Sequence, residues 1–451
     1  MSGARRPPGA PRPRLLYSDD HGVIRDHPLL WALGEGGGDP QPLGAIRRSP
    51  SAALAMPRGS DLFLLPGRTP LGWHPGRRQI VPFAHDAEGR PVHAVACFLA
   101  PAHTAALLAA YETRPGAPVL PLYSYAAVGF ARGRYWTAAQ RVDSDPRQDP
   151  WRFDLQAVRR GVAAALEDDP QNALLQQLRR CALEYQCRAA QNFYLGRHEA
   201  PLPISTACNA RCLGCISLQA DGRFKAAHER LGRAPSAAEI ARVAAGHIAR
   251  VPQAVVSFGQ GCEGEPLLMR DLIRDAIRAI RARTRAGTIN LNSNASLPDL
   301  VEELAILGLD SLRVSLNSAR AELYRIYFRP QGYDFAAVVE SMRAMRRCGR
   351  FVSLNLFYFP GVTDRWEEIE ALGDLIARCG VGMVQLRNLN IDPELYRAQL
   401  PPGVAGAGVG LSAFLQELRR RAPHLQLGYF NPPKERYATW PSPGGDTRDR
   451  A

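Results

Sequence analysis

Lysine is almost missing from this chain of 451 residues. Lys225 and Lys434 are its only lysines, so the formal net charge of +13 is carried by arginine. Arginine spread along a whole sequence speaks for a biased genome as readily as for a binding face. Short clusters such as Arg346–Arg347 and Arg419–Arg421 fall on expected helices and read as solvated faces. Nucleic acid is therefore disfavoured as a partner. Long apolar runs are lacking too. The most apolar stretch, around 94–111, is broken by Pro101, His103 and Thr104 and does not make a membrane span. The opening "MSGARRPPGAPRPRLLYSDD" carries arginines but no apolar core of the kind a signal peptide needs. Nine cysteines, an odd number in a long chain, form no disulfide framework. These absences predict a cytoplasmic protein with no membrane association. No Gly-rich phosphate loop follows a strand, and no Ser/His/Asp arrangement is readable.

What is present is apolar content of 46%, enough for a real core, and a length that suggests two domains. Residues 1–13, rich in Pro and Arg, are expected to be disordered. From 14 to 150, short apolar runs such as "DLFLLPG" and "PVLPLYSYAAVGF" alternate with Gly, Pro and Asp, which predicts a β-rich N-terminal domain. Residues 151–199 read as a helical connector, with Cys181 and Cys187 on different helix faces as core thiols. From 200 to 400 strands alternate with helices. The strand candidates are 201–206, 254–259, 288–294, 311–317, 351–360 and 383–390. Ser236 with Glu239, and Asp364 with Glu367, read as capping boxes, and Gly380 as a helix stop. Repeated β–α units imply an α/β fold with a parallel sheet, wound open or curled into a barrel, with ligands at the C-terminal strand ends. Residues 401–451 form a C-terminal helix and strand extension and tail.

At that end stands "STACNARCLGCISLQ", residues 205–219, with Cys208, Cys212 and Cys215 spaced C-x3-C-x2-C. Zinc would need a fourth Cys or His, and none stands nearby in sequence. An electron-transfer [4Fe–4S] cluster also takes four thiolates. Three thiolates leave one iron open to bind something from solution.

The motif and its surroundings resemble the radical S-adenosylmethionine (radical SAM) superfamily. "FGQGCEGEPLL" resembles the family's Gly-Gly-Glu-Pro motif, matched at Glu263–Gly264–Glu265–Pro266. "INLNSNAS" resembles the third-strand segment and "LRVSLNS" the fourth, while "FYFPGVTDRWEEIEAL" and "VQLRNLNIDPELY" resemble the fifth and sixth strand ends. The similarity covers 200–400, about half of the chain. It implies an incomplete (β/α)6 TIM-like barrel, preceded here by the β-rich domain and the helical connector. It also implies a [4Fe–4S] cluster on Cys208, Cys212 and Cys215, with S-adenosylmethionine on the open iron.

The same resemblance implies that Gly264 lies beside that ligand and that Glu265 accepts from its ammonium. Ser315 matches the residue reaching the ribose or carboxylate, and Ser293 and Asn294 line the same cavity. Arg387 is a candidate for holding a cofactor or substrate carboxylate, weighed equally against a structural salt bridge. An electron donor such as flavodoxin or ferredoxin is implied, and a substrate that the residues do not name. The β-rich domain is the natural place for substrate recognition. Three departures stand out: Gly214 where the family has an aromatic residue, Ser-Asn-Ala for Thr-Asn-Gly, and a basic insertion at 218–235. Cys262 reads as a packed thiol. Two rivals stay open. One is a non-catalytic iron–sulfur redox or regulatory protein on the same barrel. The other is a zinc-stabilised basic RNA-binding protein.

Overall fold

A computed structural model describes residues 12–44, 53–219, 222 and 225–439. Of the stretch expected to be disordered, residues 1–11 lie outside the described ones, as do four positions of the basic insertion. The chain divides into two compact units. The first holds the residues up to Arg141 with Tyr358–Trp366 and Asn388–Glu417; the second holds Val142–Phe357, Glu367–Arg387 and the chain from Leu418. Among the described residues no helix is long and apolar enough to cross a membrane.

The first unit is antiparallel. Arg14–Ser18 pairs with Ile24–Glu35, His93–Phe98 and Val128–Ala131. Leu16, Val95, Cys97, Leu99, Ala126 and Val128 interlock as its core. Each fully buried Val or Leu there contributes roughly 1.5–3 kcal/mol. Cys97 packs within this core, and burial pushes its thiol up to about 12. An ion pair is buried in the same unit: Arg68 meets Asp392 at 3.1 Å with both side chains almost wholly enclosed. Asp392 also accepts from Leu120 N and caps the short helix Pro393–Arg397 through Glu394 N. Asn388 is likewise structural, bonding Ala105 N and His103 O.

The second unit is built on seven parallel strands in chain order. They are β1 (Glu199–Leu202), β2 (Val255–Phe258), β3 (Thr288–Ser293), β4 (Ser311–Leu316), β5 (Phe351–Tyr358), β6 (Met383–Asn388) and β7 (Gln426–Gly428). Parallel neighbours need crossovers, which helices supply. These are α1 (Ala237–Arg250), α2 (Arg270–Arg283), α3 (Pro298–Leu307), α4 (Ala321–Phe328), α5 (Phe335–Arg347) and α6 (Trp366–Cys379), while α7 (Leu411–Arg421) falls mostly in the first unit. All six expected strands are present. A seventh, from the C-terminal extension, pairs in parallel with β6 through Met383 and Gln426.

On β4, Leu312, Val314 and Leu316 are fully buried on one face while Ser311, Arg313 and Ser315 alternate with them. The polar face is linked strand to strand. Asn290 donates to Ser257 Oγ, Ser311 to Asn290 Oδ1 and Arg313 to Gln385 Oε1. Beyond β7, Asn431 accepts from Gln385 Nε2 at 3.0 Å and donates to Glu199 Oε1 on β1 at 2.8 Å.

The capping box on α1 is present, with Ser236 and Glu239 exchanging hydrogen bonds. The one expected at Asp364 is not. The helix starts at Trp366, and the Asp364 carboxylate accepts from Gly361 N and Gly410 N instead, tying two loops together. Gly380, at φ +59, stops α6 in the left-handed conformation that glycine tolerates.

His247 on α1 is fully buried, and burial lowers its pKa to about 4. The fold favours the neutral ring, so its stabilising contribution is complete above the unfolded value near 6.5 and is lost as pH falls toward 4. We expect the free energy of unfolding from urea titration to drop between pH 6.5 and 4.5, by up to about 2–3 kcal/mol, and the drop to shrink in His247→Gln. An unchanged pH slope in that variant would assign the acid limb to other groups.

Candidate active site

The chain leaves β1 at Leu202 because its next amides turn away from the sheet. Ile204 N and Ser205 N both donate to Glu263 Oε2 at 2.7 Å, and Gln260 N donates to Glu263 Oε1 at 2.7 Å. This buried carboxylate clamps the start of the cysteine loop onto the loop after β2. Burial raises its pKa to about 8, against the pull of those three amides. Glu263→Ala strands two buried N–H groups and a half-buried one and should cost about 3 kcal/mol in urea unfolding. Glu263→Gln, which keeps an acceptor, should cost clearly less. Equal losses would show that the acceptor oxygens do not matter.

The two loops then run main chain against main chain. Gly264 N donates to Ser205 O at 2.9 Å and Glu265 N to Ala207 O at 2.7 Å. A Cβ on Gly264 would lie 1.9 Å from Ala207 O, so only glycine fits. Gly259 is constrained in the same way, by Asn292 O and a φ of +79.

Glu265 is enclosed. Its Oε1 accepts from Leu267 N and from Ser293 Oγ at 2.6 Å, and its Oε2 accepts from Asn294 N at 2.8 Å. Burial pushes its pKa up while these donors pull it down. With one hydrogen bond on Oε2, a second lone pair there is left for another donor. Asn294 Nδ2 reaches Asn209 Oδ1, and Asn209 Nδ2 reaches Ser296 Oγ. Ser293 and Asn294 thus join Glu265 to the cysteine loop through the side chain of Asn209, which no sequence motif singles out.

The outer side of that loop rests on the end of α4. Arg211 N donates to Phe328 O, Leu213 N to Tyr327 O, and Gln331 N to Asn209 O. The three thiols lie within electrostatic reach of one another. Burial raises Cys212 well above its ordinary value, and charge on Cys215 and Cys208 adds to this. Burial pushes Cys208 up to about 11, with Glu265 contributing next. Arg230, from the basic insertion, sets its Nη2 3.8 Å from Cys215 Sγ and its Nε 3.3 Å from Ser217 Oγ. Nothing in its local sequence distinguishes it from a solvated arginine.

Among the described residues no three or more of Cys, His, Asp and Glu converge as a ready-made metal shell. His228 bonds Ile216 O through its backbone, but its ring packs edge-on against Tyr185 and offers no fourth donor to the thiols. Three thiols on a tethered loop, with a cation beside one of them, fit a three-thiolate cluster better than a four-ligand zinc site.

The remaining candidates separate. Cys262 is buried with its Sγ 3.8 Å from that of Cys181, a thiol–thiol packing contact. Ser315 is half-buried on the polar face of β4. Arg387 makes no salt bridge within the described residues. Its guanidinium lies 3.3 Å from the Tyr429 ring centroid and donates to Tyr429 O at 2.5 Å. Asn317 Nδ2 donates to Leu323 O, a local bond within the turn into α4.

Residues 202–376 match the family model described as the Radical SAM superfamily. A GTP 3′,8-cyclase from Marinobacter nauticus is 28% identical over 172 residues, which are 38% of this chain and 48% of the cyclase. The chain therefore spans about half the length of that curated relative. Among solved structures, SuiB from Streptococcus suis gives a TM-score of 0.35 at 16% identity, covering 55% of this chain and 50% of its own. A radical SAM methyltransferase from Sphaerobacter thermophilus gives 0.36 at 19% identity, covering 50% and 64%. The family model runs from β1 into α6, over the stretch in which the cysteine loop and the acidic motif are joined at the C-terminal end of a parallel sheet, so residues 202–376 are similar to the radical SAM superfamily, whose members use a [4Fe–4S] cluster and S-adenosylmethionine.

Proposed function

We propose that the chain is an enzyme that cleaves S-adenosylmethionine reductively and uses the resulting 5′-deoxyadenosyl radical to abstract hydrogen from a substrate. The observation that carries this reading is the pairing of Gly264 N with Ser205 O and of Glu265 N with Ala207 O, which brings the acidic motif against the residue before Cys208. A [4Fe–4S] cluster held by Cys208, Cys212 and Cys215 would supply an open iron for the methionine amino and carboxylate groups and the electron that breaks the sulfonium bond. The protein's own part is orientation and exclusion of water. Gly264 lets main chain approach without a side chain between. Glu265, pinned by Ser293 and Asn294, offers its remaining lone pair to an ammonium donor. Ser315 presents a hydroxyl from β4 toward the same strand ends. Arg230 places its guanidinium beside Cys215 Sγ, a positive charge next to one of the three thiols that would hold the cluster. A one-electron donor, such as flavodoxin or ferredoxin, completes the scheme.

The test is anaerobic reconstitution with iron and sulfide, then reduction with dithionite in the presence of S-adenosylmethionine, assaying 5′-deoxyadenosine and methionine. Both products are expected. A stable cluster without cleavage would favour the non-catalytic redox protein, and zinc without inorganic sulfide the zinc-stabilised one.

A further inference from the structure

The polar face of the parallel sheet carries two guanidinium groups with no carboxylate against them. Arg313 stands in the middle of β4, in register between Asn292 of β3 and Ser353 of β5. Its Nη1 donates to Gln385 Oε1 at 3.0 Å, while its Nε is shut off from solvent with no partner. Arg387, near the end of β6, is held flat against the Tyr429 ring. Among the described residues neither arginine forms an ion pair. The acid whose charge reaches Arg313 is Glu199, and it is engaged by Asn431. Asn355, in register with Ser315, adds a buried Oδ1 without a partner.

Burial lowers the pKa of Arg313 to about 10, and the charge on Arg387 pushes the same way. Arg313 therefore remains cationic at neutral pH. A charge enclosed in protein is ordinarily paired. Two like charges within electrostatic reach of each other, without an anion between them, make each other's burial costlier. A ligand that brings the anion removes both penalties, and planar guanidinium forks match carboxylate and phosphate oxygens.

We propose that Arg313 and Arg387 together bind an anionic group, a carboxylate or a phosphate, of the substrate. Ser315 is the next residue of that face toward the cysteine loop, so a substrate anchored at Arg313 extends toward the strand ends where the radical would form. The word substrate rests on the proposed function; the anion site itself rests on the two arginines alone. The one other source of such an anion is the methionine carboxylate of S-adenosylmethionine.

The experiment is calorimetric titration of the full-length protein with inorganic phosphate, in the absence and presence of saturating S-adenosylmethionine. Saturable phosphate binding is expected, undisturbed by S-adenosylmethionine. It should weaken by at least about tenfold in Arg313→Gln and in Arg387→Gln, each checked for native circular dichroism. If one variant fails to fold, the other carries the comparison. No saturable binding, equal binding in a folded variant, or displacement of phosphate by S-adenosylmethionine would each overturn the proposal. Normal 5′-deoxyadenosine formation without phosphate binding sinks the anion site alone. Phosphate binding without 5′-deoxyadenosine sinks the radical reading alone.

Discussion

Cys212→Ala is expected to fold as the parent does and to form no detectable 5′-deoxyadenosine. The loop around Cys212 is held by main-chain bonds, from Arg211 N to Phe328 O at 3.0 Å and from Leu213 N to Tyr327 O at 2.9 Å. Neither uses the thiol. Losing one sulfur atom from this loop costs about 1 kcal/mol, so the thermal midpoint of the cluster-free protein should move by a few degrees at most. The chemistry responds differently. Two thiolates do not hold a cluster that needs three, and iron and sulfide per chain should fall together with product. Product formed at the parental level would place the ligands elsewhere.

Gly264→Ala keeps every thiol and should still lose about a hundredfold of the product-forming rate, the scale on which a displacement of 1 Å acts. The added Cβ meets Ala207 O at 1.9 Å and Ala207 C at 2.4 Å, both backbone atoms with no rotamer to escape into. Ala207 must move, and Cys208 moves with it. The bonds from Gly264 N and Glu265 N are strained or broken, so about 2–4 kcal/mol of stability should go as well. Cluster content, thermal midpoint and 5′-deoxyadenosine yield are the three readouts. Parental values of all three would mean that the loops part without consequence. The two variants thus separate ligand chemistry from the backbone geometry that presents it.

Much of the parallel sheet is legible in the sequence, because buried strands between helices read as short apolar or alternating runs. "LRVSL" on β4 is the clearest case, its leucines and valine packed while Ser311, Arg313 and Ser315 face the other way. Strand ends are less legible. β1 was expected over 201–206 but stops at Leu202, because the carboxylate that draws off the amides of Ile204 and Ser205 lies 58 residues further on from Ser205. The box expected at Asp364 fails for a similar reason: its partner Gly410 is 46 residues away, and no local pattern announces it. β7 is too short to announce its place beside β6. At the site, spacing and motif order single out the cysteines and Glu265. They say nothing of Glu263 as a clamp, of Asn209 as a bridge, or of Arg230 reaching Cys215. For Arg387 the sequence allows a salt bridge or a carboxylate holder, and its stacking on Tyr429 follows from neither pattern.

The bridge made by Asn431 has a consequence for how the chain is assembled. The sheet ends in two open edges, β1 and β7, and this amide reaches across from Gln385 to Glu199. Glu199 and Asn431 are 232 residues apart in the chain. Synthesis runs from the N-terminus at about 5–20 residues per second, so β1 waits at least about ten seconds for its closing partner. During that interval the seam is open, and the edge of β1 is exposed to any strand that comes near. The seam therefore closes among the last events of folding, after the strands between its two edges have been made.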